Sequence, residues 1–414
     1  MKRVFGIGLI TLFFIFFILT SMRVGQASAS ELSPVWEVKL TADDLTSDSD
    51  FGRSVAIDGN LVAVGAGGAD AGAVTNAGAV YLFKRRGLDY LLEAKLIAPD
   101  ATPYAEFGRA VAIHGNTVIV GARFAQVGPL SSAGAAYVFR KTKGAWHLEA
   151  KITSPTPANE DNFGRALAIH GDLLVITARK ESLNAQDVGA AYVFRHVGGR
   201  WKDEVKLTAS DPAPGAYFGQ SVAVQGDLIA IGARNADPNA AGAVYIFDRL
   251  ENQWVESAKL TPPDGKADDN FAFSIAIAGN LIAVGARRAD LPGAKDAGAA
   301  YLFAMTSDDV GLAKITASDA MAGDQFGQSI AMAGDVIAVG ANRADIGANK
   351  DQGAVYLFQR MGNDWVEEEK LTASDGIAGD EFGYSLWAFG NLMAAGAHLA
   401  DSTNGAVYVM PLRP

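Results

Sequence analysis

Hydrophobic positions fall into four short segments that recur in the same order along the chain. The first reads Phe-Gly-x-Ser-Val-Ala-Ile at residues 51–57, the second Leu-Val-Ala-Val-Gly-Ala at 61–66, and the third Gly-Ala-Val-Tyr-Leu-Phe at 78–83. A fourth segment alternates apolar with polar residues, as in Trp-Glu-Val-Lys-Leu-Thr at 36–41. Short runs rich in Val, Ile, Tyr and Phe between turn residues are typical of β-strands. Each unit therefore predicts four strands.

The same pattern ranks the four strands by burial. The first three are apolar at nearly every position, which suits a sheet covered on both faces. The fourth alternates, which predicts a half-exposed strand at an outer rim. Gly followed by Asn or Asp separates the first two segments, as in Gly59-Asn60 and Gly171-Asp172. Such pairs supply the positive φ that a tight antiparallel hairpin requires.

The four-segment unit occurs seven times, with 53 to 56 residues between successive leading phenylalanines. A period of this size predicts an architecture whose units bury their apolar faces against one another. Gly follows the phenylalanine in every copy except the fifth, which has Ala272. The copies begin at Phe51, Phe107, Phe163, Phe218, Phe271, Phe326 and Phe382.

The two ends of the repeated region carry complementary partial units. A lone fourth-strand segment, residues 36–41, precedes the first Phe-Gly, and only three strand segments follow the last one. The N-terminal strand can therefore complete the last unit and close a ring, which leaves only short protected edges. We predict an all-β fold: a seven-bladed β-propeller of four-stranded antiparallel blades, 28 strands in all, with the last blade closed by the N-terminal strand.

The recurring Phe-Gly and Gly-Ala pairs resemble the FG-GAP repeat, the unit of the integrin α-subunit seven-bladed propeller, over residues 35–410. Units such as Lys370-Leu-Thr-Ala-Ser-Asp375 followed by Gly379-Asp-Glu-Phe-Gly383 are most similar to bacterial secreted FG-GAP proteins. The resemblance implies an extracellular module for adhesion or protein binding. Integrin-like propellers carry calcium loops in some hairpins, but these seven hairpins are too short to wrap a cation with six or more oxygens.

Some units depart from the family pattern. The Gly-Ala-Pro element appears as Gly65-Ala66-Gly67 in the first unit and Gly121-Ala122-Arg123 in the second. The third unit has Thr177-Ala178 in place of Gly-Ala.

Residues 1–29 lie outside the repeat and have the layout of a secretory signal peptide. Lys2 and Arg3 precede an apolar run from Val4 to Leu19, and a small-residue site at 27–29 follows. That order of positive, apolar and small residues is typical of a cleaved leader. The run is shorter than the roughly 18–20 residues of a membrane span, although an uncleaved anchor remains the alternative. We expect residues 30–414 to form the propeller and the mature protein to have no membrane span.

The charge and cysteine content exclude some functions. The formal net charge of −11 disfavours a nucleic-acid partner, because phosphate binding requires clustered Lys and Arg. The chain has no cysteine, so disulfides and thiolate chemistry are excluded.

The long loops carry the candidate binding residues. These loops join the second strand to the third, and the outer strand to the next blade, on the face opposite the tight hairpins. Loops on rigid scaffolds commonly bind ligands. Asp stands five residues after the Gly of Gly-Ala in five units, at Asp70, Asp237, Asp290, Asp345 and Asp401. Four more carboxylates stand two residues before Phe, at Asp161, Asp269, Asp324 and Asp380.

Two interpretations of these carboxylates remain open. They form a ring that meets a cation, a sugar or a basic partner, or they accept backbone N–H groups within their own loops, as Asp does in turns. Units two and three interrupt the Asp pattern and add Arg123, Phe124 and Arg179. A specific site is expected where a periodic ring is irregular, and neutral drift is the alternative.

No catalytic motif stands out from the repeat. We therefore expect a non-enzymatic, monomeric binding or adhesion module, secreted, periplasmic or on the cell surface, that recognises an extracellular protein through its long-loop face. A glycan-binding propeller is the alternative, and a hydrolase or lyase is a more distant one. No cofactor or metal is predicted, with loop calcium as the minor alternative.

Overall fold

The computed structural model describes residues 36–182, 186–236, 240–305, 310–362 and 364–412. Within them, 28 strands form seven four-stranded antiparallel sheets, and one short helix, α1 (Ala400–Thr403), lies in a loop. The predicted signal peptide, residues 1–29, lies outside this part of the chain. No helix in the described ranges is both long and apolar enough to cross a membrane.

Each sheet is one blade, and in blades 1 to 6 the strands follow one another in sequence order from the axis to the rim. The first strands of blades 1 to 7 are β2 (Phe51–Asp58), β6 (Phe107–His114), β10 (Phe163–His170), β14 (Phe218–Gln225), β18 (Phe271–Ala278), β22 (Phe326–Ala333) and β26 (Ser385–Phe389). The second strands are β3 (Leu61–Ala66), β7 (Thr117–Ala122), β11 (Leu173–Ala178), β15 (Leu228–Ala233), β19 (Leu281–Ala286), β23 (Val336–Ala341) and β27 (Leu392–Ala397).

The third and fourth strands complete the blades. The third strands are β4 (Ala79–Arg86), β8 (Ala135–Thr142), β12 (Ala190–Val197), β16 (Ala243–Leu250), β20 (Ala299–Met305), β24 (Ala354–Met361) and β28 (Ala406–Pro411). The fourth strands are β5 (Asp89–Leu96), β9 (Ala145–Ile152), β13 (Arg200–Leu207), β17 (Gln253–Leu260), β21 (Val310–Ile315), β25 (Asp364–Leu371) and, for blade 7, β1 (Val38–Leu40).

The predicted closure of the ring is confirmed. Strand β1 pairs antiparallel with β28, so that Val38, Lys39 and Leu40 lie opposite Val409, Tyr408 and Val407. Leu40 is only 3% exposed and packs in the core between blades 7 and 1. The last blade therefore consists of three C-terminal strands and one N-terminal strand.

The two glycines of the repeat have distinct physical roles. Gly52 of Phe-Gly has φ +88 and lies in a bulge between Phe51 and Ser54, a conformation that L side chains rarely adopt. Gly65 of Gly-Ala lies where a Cβ atom would come within 2.0 Å of the carbonyl oxygen of Gly108 in the next blade. One glycine therefore bends the inner strand, and the other lets neighbouring blades approach closely.

An aromatic triad fills the space between strands in each of the first six blades. In blade 1 the ring of Phe51 meets Tyr81 at 5.5 Å and Phe83 at 6.1 Å, both edge to face. Such contacts add to the gain from burial alone. The phenylalanine that begins each repeat is thus a core residue, and in the first six blades it is also the first residue of the inner strand.

The fourth strands form the outer rim, as their alternation predicts, and their tryptophans link neighbouring blades. The indole N–H of Trp146 donates to Glu93 on the outer strand of the preceding blade at 2.8 Å. Trp201 and Trp254 make the equivalent bonds to Glu149 and Glu204 at 3.0 and 3.2 Å. These rings pack against the core with their polar edge satisfied.

Candidate functional site

Strand direction separates the two faces of the disc. Every first strand runs from the long-loop face to a two-residue hairpin, such as Gly59-Asn60 between β2 and β3. The second strand returns to the long-loop face, which therefore carries the loops after Gly-Ala and the loops that enter each Phe-Gly. The seven predicted hairpins all have this short form among the described residues, too short for an integrin-type calcium loop.

Three of the five aspartates that follow Gly-Ala accept hydrogen bonds inside their own loops. The carboxylates of Asp70, Asp290 and Asp345 accept the backbone N–H six residues later at 2.8, 3.0 and 3.0 Å. Asp401 instead binds the ammonium group of Lys39 on the closing strand at 2.7 Å. Asp237 lies outside the described residues. The observed bonds match the structural interpretation of these residues, and they leave a binding role untested.

The four aspartates before Phe also form local turns. Each accepts the backbone N–H three residues upstream, as Asp161 does from Ala158 at 2.6 Å. Asp161, Asp269, Asp324 and Asp380 are all at least 95% buried. Burial raises the pKa of all four, and that of Asp161 to about 6.

A Tyr-Asp-Lys chain occupies the outer part of the long-loop face. In blade 1 the hydroxyl of Tyr81 donates to Asp44 at 2.9 Å, and Lys95 donates to the same carboxylate at 2.6 Å. Burial alone would raise the pKa of Asp44, but these two hydrogen bonds outweigh it and lower the pKa. The same chain joins Tyr137, Asp100 and Lys151; Tyr245, Asp211 and Lys259; Tyr301, Asp264 and Lys314; Tyr356, Asp319 and Lys370; and Tyr408, Asp375 and Lys39.

These hydrogen-bonded chains give the Lys and Asp of the Lys-Leu-Thr-Ala-Ser-Asp motif a structural role. In blade 3 the carboxylate comes from Glu181 in the loop after β11, and it meets both Tyr192 and Lys206. The outer carboxylates are therefore engaged within the fold.

Arginines dominate the inner part of the long-loop face. We call them the axial arginine cluster. Three of them stand two residues after the repeat phenylalanine, and four follow the Ala of Gly-Ala or Thr-Ala directly. The cluster comprises Arg53, Arg109 and Arg165 from the first set, and Arg123, Arg179, Arg234 and Arg287 from the second.

Two of these arginines are held by glutamine from the next blade. Arg179 donates to the side-chain oxygen of Gln220 at 3.2 Å, and Arg287 donates to that of Gln328 at 2.9 Å. Both glutamines are at least 96% buried. Arg234 instead stacks on Tyr217, with its guanidinium carbon 4.9 Å from the ring centre.

Carboxylates hold other members of the cluster. Arg123 makes a bidentate pair with Glu106 at 2.6 and 2.9 Å, and its guanidinium lies 4.3 Å from the ring centre of Phe124. Arg53 donates to Asp50 at 2.9 Å and lies 5.4 Å from the ring centre of Tyr384.

The cluster creates a strongly positive local field in an acidic protein. Burial, followed by repulsion from Arg53, lowers the pKa of Arg109 to about 10. Burial and the neighbouring Arg109 lower the pKa of Arg165 well below its usual value. Burial alone would raise the pKa of Tyr384, yet the nearby arginines lower it. A phenol responds in this way when cations outnumber anions around it.

His398 lies beside the cluster. Its two ring nitrogens lie 3.0 Å from Asp50 and 3.2 Å from Glu381, and the residue is 6% exposed. Burial would lower the pKa of His398, but hydrogen bonds from both nitrogens to carboxylates raise it.

Of the residues singled out in the irregular units, Arg123, Phe124 and Arg179 belong to one charged region. The sequence argument did not identify Arg53, Arg109 and Arg165. The available signal was the residue two places after Phe, which is Arg in the first three units and uncharged in the other four.

Cavities also lie outside the arginine cluster, among them one of about 650 Å³ on the long-loop face beside Asp161, Glu181 and Lys206. An axial cavity of about 610 Å³ is lined mainly by apolar residues of the first strands, including Trp387. A more open pocket of about 480 Å³ lies on the hairpin face beside His114, Arg140 and Trp201. The described residues include no group of three or more His, Asp or Glu side chains placed to hold a metal ion.

Comparison with known families agrees with the geometry. The FG-GAP repeat model matches seven times, at residues 35–83, 90–139, 146–194, 201–247, 254–303, 311–358 and 365–410. No curated protein matches the chain. Each match runs from the outer strand of one blade through the first three strands of the next, and the seven matches together cover most of the sequence, so the chain belongs to the FG-GAP repeat family.

Proposed function

We propose that this protein is a secreted, periplasmic or cell-surface binding module that recognises an extracellular protein through its long-loop face. FG-GAP propellers are modules often used in binding. The observation that carries the proposal is the distribution of unused polar groups. Outer carboxylates are engaged in Tyr-Asp-Lys chains and loop turns, whereas the inner arginines retain buried N–H groups without acceptors.

The alternative of a glycan-binding rim has less support. Sugar recognition would use the faces of the outer-strand tryptophans, but Trp146, Trp201 and Trp254 pack against the core and donate to neighbouring glutamates. We further propose that the module is non-enzymatic and acts without a resident cofactor.

A face-specific block tests the binding proposal. The natural chain lacks cysteine, so a single Cys can be modified selectively with a maleimide polymer. Lys295→Cys places the polymer on an exposed loop of the long-loop face, and Arg86→Cys places it on the exposed hairpin end of β4. Both variants are immobilised before and after modification, and capture from the extracellular fraction of the source cells is compared.

The proposal predicts that modification at residue 295 abolishes capture of the partner, whereas modification at residue 86 leaves it intact. Capture that survives the block at 295, or that is lost only with the block at 86, would refute it.

A further inference from the structure

An arginine–glutamine pair recurs at two blade boundaries of the axial arginine cluster. In blades 3 and 5 the arginine after Thr-Ala or Gly-Ala donates to a glutamine two residues after Phe in the next blade, as Arg179 does to Gln220. This contact satisfies a buried cation with a neutral acceptor. Blades 4 and 6 supply those glutamines.

Blades 2 and 3 supply arginines at the glutamine position. Arg109 and Arg165 therefore bring donors to the position where Gln220 and Gln328 bring acceptors. Facing Arg109 from blade 1 is Gly67, which has no side chain, and facing Arg165 from blade 2 is Arg123, which turns to Glu106 instead. Neither arginine takes part in an arginine–glutamine pair.

Buried Nε groups without a hydrogen-bond acceptor occur in six members of the cluster: Arg53, Arg109, Arg165, Arg179, Arg234 and Arg287. Arg179 and Arg287 still have a glutamine partner for another guanidinium nitrogen, and Arg234 stacks on Tyr217. Arg165 makes no side-chain hydrogen bond or ion pair with any residue in the described part of the chain. Glu106 reaches Arg109 only at 3.6 Å, and the Arg109 side chain is 11% exposed. Buried donors without partners in a native protein call for an explanation, and an absent anion is one.

Gly67 leaves room for a further heavy atom beside the backbone of Arg109. An added Cβ on Gly67 would find its nearest neighbour, the Cβ of Glu106, at 3.8 Å, which is ordinary van der Waals contact. The equivalent position is filled by Asn342 in blade 6, whose amide donates to Glu381 at 2.8 Å. Solvent reaches this sector through Arg53 and Glu106, whose side chains are 24% and 28% exposed.

We propose that Arg53, Arg109 and Arg165 bind an oxyanion carrying at least two negative charges, in the space that Gly67 leaves free beside Arg109. A phosphoryl group, a sulfuryl group or clustered carboxylates share the chemistry required. Each presents several acceptor oxygens to guanidinium N–H groups, and charge-assisted bonds of this kind are roughly twice as strong as neutral ones. The ligand would satisfy the orphaned donors and offset the repulsion among the three arginines.

The same arginines support the proposed protein contact, and the anion site is tested separately, with simple anions. Inorganic phosphate, sulfate and citrate are titrated into the full chain at constant ionic strength, with chloride as the balancing ion, while melting temperature and heat of binding are recorded. The wild type is expected to show a saturable rise in melting temperature. The anion with the tightest binding identifies the source, phosphoryl, sulfuryl or carboxylate.

Two variants introduce residues that already occur at the equivalent positions of other blades. We therefore expect both variants to fold. Arg109→Gln introduces the glutamine that occupies the equivalent positions 220 and 328. Because it removes a like-charge contact, its melting temperature in chloride should be no lower than that of the wild type. Its affinity for the preferred anion should fall by on the order of tenfold or more, as expected when a charged hydrogen-bonding group is lost.

Gly67→Asn fills the free space without removing an arginine, as Asn342 does in blade 6. It should also weaken anion binding. Arg86→Gln changes the net charge equally on the other face and should bind as the wild type does.

The proposal is overturned if none of the three anions gives a saturable effect, or if Arg109→Gln and Gly67→Asn bind as tightly as the wild type. A failure of this kind would leave the face-specific capture result unaffected, so the two proposals can fail separately.

Discussion

Leu40→Ala tests whether the N-terminal strand contributes to the ring as an ordinary outer strand. Leu40 ends β1, is 3% exposed and lies opposite Val407 in the core between blades 7 and 1. Leu96 holds the equivalent place in blade 1, where it ends β5, lies opposite Val80 and is 5% exposed. The two leucines therefore form a matched pair, one at the seam and one within a continuous blade.

Truncation of a buried leucine to alanine costs about 2–5 kcal/mol, from lost transfer free energy and the cavity left behind. That is a large part of the roughly 5–15 kcal/mol by which a typical domain is stable. β1 has only three residues and one fully buried side chain, so this loss falls on a strand with few other contacts. We expect Leu40→Ala to destabilise the protein at least as much as Leu96→Ala.

Urea unfolding, followed by tryptophan fluorescence and by circular dichroism, measures both effects. Coincident transitions from the two probes show that the ring unfolds as one unit. If Leu96→Ala lowers the midpoint while Leu40→Ala leaves it unchanged, β1 does not belong to blade 7 and the closure is refuted.

Three further predictions concern the glycine contacts, His398 and metals. Gly285→Ala should destabilise by about 1–3 kcal/mol or more, because its Cβ would lie 2.1 Å from the carbonyl oxygen of Gly327; an unchanged denaturation midpoint would contradict this. His398 has a raised pKa between Asp50 and Glu381, near Tyr384 and Arg53, so its stabilising charge is present below its unfolded pKa of about 6.5 and is lost as pH rises through the folded value. His398→Asn should flatten that part of the stability-against-pH curve, and an identical slope in both proteins would count against the charged imidazole. A chelator should leave the melting temperature unchanged, and a marked fall would reveal a metal that the present account lacks.

The fold could be predicted because the same pattern of strand and turn residues recurs seven times. In every copy the same four-stranded unit is predicted by the hydrophobic runs, by the Gly-Asn or Gly-Asp hairpin and by the alternating outer strand. The partial units at 36–41 and after Phe382 predicted that the N-terminal strand completes the last blade and closes the ring. The physical role of Gly65, a close approach between blades, could not be derived from one strand, because its neighbour Gly108 comes from the next unit.

The axial arginine cluster was harder to predict from the sequence than the fold. Arg123 and Arg179 attracted attention because their loops are irregular. Arg109 and Arg165 sit within strands that otherwise look regular, and their significance depends on which residue faces them across a blade boundary. Only the three-dimensional register shows that Arg109 faces Gly67 and Arg165 faces Arg123, whereas Gln220 faces an arginine that donates to it.

The aspartates illustrate the opposite case. Their regular recurrence made them visible, and the structure shows that Asp70, Asp290 and Asp345 hold their own loops. An aspartate that recurs at the same position in several blades is better explained by a structural role in each blade than by one specific binding site. The exceptions to the repeat are therefore the better candidates for a binding site.

A disulfide across the seam tests the closed ring most directly. Val38 and Val409 are opposite one another on β1 and β28, and the chain has no cysteine of its own. Cα atoms of opposed antiparallel residues are about 4.5–5.5 Å apart, within the range a disulfide spans. The account predicts that Val38→Cys with Val409→Cys joins the two ends of the chain under mild oxidation, with a mass lower by two hydrogens, while the diagonal pair Val38→Cys with Val407→Cys stays reduced. Failure of the opposed pair to form an intramolecular bond in the folded protein would contradict the closed propeller.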